Sequence, residues 1–142
     1  MSVNPGSARL HYATIAMIEL AGHFRRGELL CVRDIADAHD IPLPFLTQIL
    51  NQLRSYGLVH SVRGAAGGYR LAREPESITL ADIAAVWGCG SEGEARSEGS
   101  EIARVSSEIW QAAYEQSQRH LRTVSLDALA DRVSGTEAMF HI

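Results

Sequence analysis

The chain has 142 residues, and its 13 basic side chains, all arginine, stand against 17 acids for a formal net charge of −4 and a pI near 5.8. That balance argues against a protein that coats nucleic acid by bulk positive charge, since such domains usually run basic. With 46% hydrophobic and 21% charged residues the chain fits neither a disordered nor a membrane class, and no apolar run approaches the roughly 20 residues of a spanning helix.

Residues 8–24 repeat Leu10, Ala13, Met17, Leu20, Ala21 and Phe24 at steps of three and four, which predicts an amphipathic helix broken by Arg25-Arg26-Gly27. A short second helix is expected from about Val32 to His39, buried through Val32, Ile35 and Ala36. Cys31 holds the preceding cap-like position, where Ser or Thr is usual, and reads as a buried structural thiol. Ile41-Pro42-Leu43-Pro44 makes a tight turn, and Pro44 suits the first position of a third helix running to about Tyr56. That helix buries Leu46, Ile49, Leu50 and Leu53, turns Thr47, Gln48, Asn51, Gln52, Arg54 and Ser55 outward, and is stopped by Gly57.

The period then changes. Residues 58–63 have strand composition, residues 69–71 alternate, and Gly64-Ala65-Ala66-Gly67-Gly68 between them reads as a hairpin tip. Thr79 to Asp82 resembles a capping box opening a helix that ends near Trp87. Residues 88–100 form a polar, glycine-rich loop that is expected to be mobile. From about Glu101 to Leu121 a longer helix carries Ile102, Val105, Ile109 and Ala112 or Ala113 on one stripe. A narrow apolar stripe that follows a complete small core suggests a partner helix from another subunit, the alternative being a helix folded back on its own domain. Ser125 caps a short helix over Leu126–Val133, with the last nine residues frayed. The expected organisation is a DNA-binding unit over 1–87, a sensor-type loop over 88–100, and a dimerisation helix plus short helix over 101–142.

The charge is unevenly placed. Residues 1–80 hold eight Arg and seven acids, whereas residues 81–142 hold five Arg and ten acids. Between Asp40 and Glu74 there is no acid at all, while Arg54, Arg63, Arg70 and Arg73 all fall there. A phosphate-facing surface needs such a window, because a carboxylate near the backbone would repel it. Chance clustering on a solvated face is the plainer explanation of the charge alone.

Three short helices followed by a glycine-tipped hairpin is the winged helix-turn-helix order, in which the helix after the turn enters the major groove. Gln48 and Asn51 are one turn apart and can each reach an adenine edge bidentately, while Thr47 can donate to a base or phosphate or touch a thymine methyl. Pro44 and Phe45 lead the helix. Arg63 at the hairpin tip could enter a narrow minor groove, whose negative potential attracts arginine. Taken singly, each of these positions could equally be a solvated polar face.

The segments Arg33-Asp34-Ile35-Ala36, Ile41 to Leu50 and Leu53 to Val59 resemble the Rrf-two family of winged-helix regulators, and Ser61-Val-Arg63-Gly64-Ala-Ala-Gly67-Gly68-Tyr69-Arg-Leu71-Ala resembles that family's wing signature. The likeness covers about residues 8–135, including Trp110 and Val124 to Leu129, with the wing as its most specific part. The family includes an iron–sulfur cluster regulator, nitric-oxide-sensing repressors and a cysteine-metabolism repressor. The resemblance implies a homodimer on a palindromic operator of double-stranded DNA, with the long helix forming much of the dimer interface through Ile102, Val105, Ile109 and Trp110. Family contacts map onto Pro44, Phe45, Thr47, Gln48 and Arg63. The full expected DNA face adds Arg33, Asn51, Arg54, Gly64, Gly67, Gly68 and Tyr69. Thr47 stands where some members use an acid that reads cytosine, so their operator does not transfer.

Many relatives carry three cysteines in the loop before the long helix and bind an iron–sulfur cluster there; soft thiolates hold the irons. This loop has only Cys89, with Arg96, Glu98 and Arg104 where later cysteines would fall and Ser107 at a family histidine position. No cofactor or metal is therefore expected. Cys89 remains open to three readings: an idle thiol, a redox sensor that oxidises or links to its symmetry mate, or part of an unusual site shared between subunits and completed by His11. His11 is otherwise a solvated or phosphate-contacting residue. With two cysteines there is no disulfide framework, and the N-terminus lacks a signal peptide's features, so a cytoplasmic setting is expected. The expected function is a DNA-binding transcription regulator, acting as a repressor and controlled by redox state or a ligand. The alternative is a winged-helix dimer used for protein interaction or small-ligand binding without DNA. No phosphate loop, paired metal-ligand spacing or nucleophile with a base supports an enzyme.

Overall fold

The computed structural model describes residues 8–87 and 99–140, with side chains described through residue 135. Helix α1 (Ala8–His23) turns Ala13, Ala16, Met17, Leu20 and Ala21 inward. The three alanines on that face let neighbouring elements approach closely, so α1 becomes the post around which the others pack. A 3₁₀ turn, Phe24–Arg26, leads to α2 (Val32–His39), which buries Ile35 and Ala36, with Val32 half-buried against the core.

Cys31 departs from the expectation. It is the residue capping α2 and it is exposed, with no hydrogen bond from its side chain to the helix. As the cap, Cys31 has extended rather than helical backbone (φ −74°, ψ 137°), so its side chain does not continue the inward stripe of Ile35 and Ala36. Helix α3 (Leu43–Ser55) begins one residue earlier than expected, so Pro44 sits second rather than first. Either place is harmless, since first-turn N–H groups have no partner within the helix. Leu46, Ile49, Leu50 and Leu53 of α3 are all buried, as their spacing requires.

Strands β1 (Val59–Val62) and β2 (Gly68–Leu71) pair antiparallel, with Val59 opposite Leu71 and Ser61 opposite Tyr69. Val59 and Leu71 plug the core, while Val62 near the tip is exposed. The hairpin has a third backbone partner that its sequence does not announce. Leu30 N donates to Tyr69 O at 2.9 Å and Tyr69 N donates to Leu30 O at 2.8 Å. A bridge one residue long leaves no alternation to read.

Helix α4 (Leu80–Ala85) opens with the expected reciprocal box: Asp82 N donates to Thr79 Oγ1 at 3.3 Å, and Thr79 N donates to Asp82 Oδ2 at 2.9 Å. It ends two residues before Trp87, which lies in a turn, half-buried against the core. Helix α5 (Glu101–Arg122) runs 22 residues from a Ser100 cap and buries none of them. Its own domain does not receive it as a core helix.

Helix α6 (Leu126–Phe140) extends seven residues beyond the expected end at Val133. The chain before it returns to the first unit. Leu80 N donates to Val124 O at 3.0 Å, Leu126 N donates to Ile78 O at 2.9 Å, and Leu126 is fully buried in the core cluster that also holds Ile78 and Ile83. Leu129 and Ala130 of α6 also pack against this core. The result is a winged helix-turn-helix with one shared core, from which α5 alone stands clear.

Candidate nucleic-acid interface

Burying Leu46, Ile49, Leu50 and Leu53 forces the intervening residues of α3 outward. Gln48, Asn51, Gln52 and Arg54 are exposed, while Thr47 is half-buried. Gln48 makes no hydrogen bond among the described residues, so both its donor and acceptor face solvent. Thr47 is less available than its spacing suggests: its hydroxyl donates to Leu43 O one turn back, at 2.8 Å. Phe45 turns partly into the core and meets Tyr12 of α1 edge-on, with ring centroids 5.6 Å apart. Pro44 remains exposed beside it.

Two side-chain contacts tie α3 to the hairpin. Arg54 Nη1 donates to Ser61 Oγ of β1 at 2.9 Å, and the Tyr69 hydroxyl reaches Asn51 Oδ1 at 3.4 Å, a long hydrogen bond. A third contact joins α3 to the end of α4, where Trp87 Nε1 donates to Gln52 Oε1 at 2.7 Å. Asn51 and Arg54 therefore also brace the wing, while Gln48 has no hydrogen-bond partner among the described residues.

The wing tip depends on its glycines. Gly64 sits at φ 113°, where side chains are strained. A Cβ on Gly67 would lie 2.0 Å from Val62 O, and one on Gly68 would lie 2.6 Å from Leu30 O. The second clash would break the Leu30–Tyr69 bridge, so Gly68 secures the wing's seating against Leu30. Arg63, just before Gly64, is exposed and makes no ion pair or hydrogen bond among the described residues.

The acid-free window sorts into engaged and available cations. Arg73 donates to Ser77 O at 2.7 Å and to Asp82 Oδ2 at 3.2 Å, and so is structural. Arg54 holds Ser61. Arg63 and Arg70 remain without a partner among the described residues, as does Arg33 in the first turn of α2. Arg70 was not among the expected contacts, although the window that contains it was the signal. The acids lie elsewhere: on α5, Arg104 pairs with both Glu101 and Glu108, which raises its pKa, chiefly through the Glu101 hydrogen bond.

His11 is exposed near the start of α1, its ring centroid 6.1 Å from that of Tyr12. Cys89 and the rest of residues 88–98 lie outside the described residues. The chain has two cysteines in all, and Cys31 is at the start of α2, so a three-thiolate cluster has too few sulfur donors here. Among the described residues no three His, Cys, Asp or Glu side chains are grouped to hold a metal ion, and no helix is long and apolar enough to cross a membrane. On α5, Ile102, Val105, Ile109 and Trp110 are exposed at 82%, 43%, 63% and 72%, far from the burial such side chains normally find.

Comparison with known proteins gives a consistent answer. A profile of the Rrf2 family, described as an iron-dependent transcriptional regulator, matches residues 6–132. The transcriptional regulator IscR of Cereibacter sphaeroides is 42% identical over 78 residues, covering 54% of this chain and 50% of that protein. CymR of Bacillus subtilis is 40% identical over 77 residues, covering 54% of this chain and 55% of that protein. The chain spans about half the length of these curated relatives. Among solved structures, CymR, the global cysteine regulator of B. subtilis, superposes with a TM-score of 0.75 at 30% identity, covering 93% of this chain and 98% of that one. The T. potens IscR structure gives 0.74 at 32% identity, covering 94% and 88%. These relatives are regulators rather than enzymes. From α1 through the braced wing and the long α5 to the first turns of α6, the matched residues take in most of the elements described above, and the chain belongs to the Rrf2 family of transcriptional regulators.

Proposed function

We propose that the protein binds DNA sequence-specifically as a homodimer on a palindromic operator and represses transcription there, under control of redox state or a ligand. The observation that carries this reading is the pairing of available side chains with a fixed frame. Gln48 and Arg63 have no partner among the described residues, in an acid-free stretch of the chain whose two candidate reading elements are tied together by Arg54–Ser61 and Tyr69–Asn51. Gln48 suits an adenine edge in the major groove and Arg63 suits a narrow minor groove. The exposed row on α5 supports a second copy as the partner, because aromatic and aliphatic side chains in a line favour burial over hydration.

The test is a binding assay on the promoter of the protein's own operon, run across a salt series. Expected is a preference over random DNA for one symmetric site, with affinity falling as salt rises. Arg63→Ala should weaken that binding by roughly tenfold or more while the far-ultraviolet circular dichroism is unchanged. Gln48→Ala should change sequence preference rather than weaken all sequences equally. No preference for any genomic site would overturn the reading.

A further inference from the structure

Between α1, the end of α2 and α6 lies a cavity of about 430 Å³. Its apolar wall is Ile15 and Ile18 of α1 with Ala130 and Val133 of α6. Its rim is Glu19, His23, Arg26 and His39. Small-ligand pockets commonly run about 300–1,000 Å³, mostly apolar with a few convergent polar groups. The gap exists because small residues meet where α6 crosses α1: Gly22 on one side, Ala130 and Ser134 on the other.

The rim decides the chemistry of the occupant. Among the described residues Glu19 is the only acid that lines the cavity, and its carboxylate is already engaged: Oε1 lies 2.7 Å from His39 Nε2, and Oε2 lies 4.0 Å from His23 Nε2. The other nitrogen of His23, Nδ1, is 2.7 Å from Glu28 Oε2. Arg26 Nη1 is ion-paired with Glu28 Oε1 at 3.8 Å, longer than a hydrogen bond, and among the described residues its N–H donors make no other contact. What the rim has left to offer is a cation with a planar donor fork, above an apolar wall.

We infer that this cavity binds a small molecule with an apolar body and a single carboxylate, the body against Ile15, Ile18, Ala130 and Val133 and the carboxylate on the Arg26 guanidinium. Such an occupant braces α6 on α1. Because α6 follows α5 after only Thr123–Ser125, it bears on the angle between the long helix and the winged unit. The regulator reading supplies the purpose of the site, a place for a chemical input, but the binding itself does not depend on DNA recognition.

The test uses the full chain with methyl-labelled isoleucine and valine, and three probes sharing one body: hexanoate, hexylammonium and hexanol. Hexanoate should shift the methyl signals of Ile15, Ile18 and Val133 saturably, hexylammonium should not, and hexanol should bind about tenfold more weakly. Arg26→Ala should bring hexanoate down to the alcohol's affinity, and Val133→Trp should abolish binding with circular dichroism unchanged. Equal binding of all three probes, shifts confined to Ile102 and Ile109 on α5, or no saturable shift would each overturn the inference. No DNA is present in the experiment, so its outcome is separate from that of the operator assay.

Discussion

Leu126 joins the last helix to the core of the first three, and replacing it measures how much that junction contributes. Its side chain is fully buried, at the point where α6 enters the core cluster that also holds Ile78 and Ile83. Leu126→Ala removes three carbons from that site. At about 0.8 kcal/mol per buried methylene the transfer loss is about 2.4 kcal/mol. The cavity left behind adds to this, because neighbouring main chain is pinned by Leu126 N to Ile78 O and Leu80 N to Val124 O and cannot collapse inward. The expected cost is about 3–4 kcal/mol, within the range seen for buried leucine truncations, and a large share of the roughly 5–15 kcal/mol that holds an ordinary domain together. The assay is urea unfolding followed by circular dichroism at one fixed protein concentration, since association would otherwise shift the midpoint. A single transition with a lowered midpoint is expected. A loss below about 1 kcal/mol, or a separate early transition, would show that α6 is not part of the cooperative unit and would refute the shared-core argument.

Three further outcomes follow from other elements. Thr79→Ala removes the acceptor for Asp82 N and half of the capping box, and should cost about 1 kcal/mol by the same unfolding measurement, with Thr79→Ser nearly neutral. Ile109→Glu places a charge in the exposed row on α5; on the homodimer proposal, light scattering after gel filtration should report a dimer for the parent chain and a monomer for the variant, and an unchanged mass would remove that row from the interface. The His23 hydrogen bond holds the Glu28 carboxyl below the usual glutamate range, with the Arg26 charge adding to it. The stabilisation linked to that depressed value is present above the ordinary carboxylate range and is lost as pH falls through it. Carbon-detected titration of Glu28 should therefore give a midpoint below that of a free glutamate, and His23→Gln should move it up.

The first unit was legible because its elements carry their own period. Leu46, Ile49, Leu50 and Leu53 mark α3, Thr79 and Asp82 mark the start of α4, and the glycine run marks the wing. The candidate DNA face followed from the same stripe, since whatever α3 does not bury must face out. Local patterning says nothing about partners distant in sequence. The Leu30–Tyr69 bridge, the Trp87–Gln52 bond across 35 positions and the return of Leu126 to the core each depend on a meeting that no window of residues contains. For the same reason the contacts of Asn51 and Arg54 with the hairpin were not legible: their side chains suit a DNA face, and the hairpin also lies within their reach. Cys31 was misplaced by its residue type, a thiol being among the most often buried of side chains, whereas its cap position set the outcome.

The seating of Tyr69 has a mechanical meaning. Its backbone is bridged to Leu30 and its ring hydroxyl reaches Asn51, while one strand away Ser61 holds Arg54. Hairpin and helix are thus two jaws of a caliper whose opening is set before any duplex arrives. A caliper cannot widen to suit its object. For a protein that reads DNA as proposed, a duplex whose grooves do not already match the gap has to be bent or narrowed to fit, and the cost of doing so falls on base pairs that no side chain touches. Discrimination would then extend past the contacts of Gln48 and Arg63 into the stiffness of the sequence lying between them.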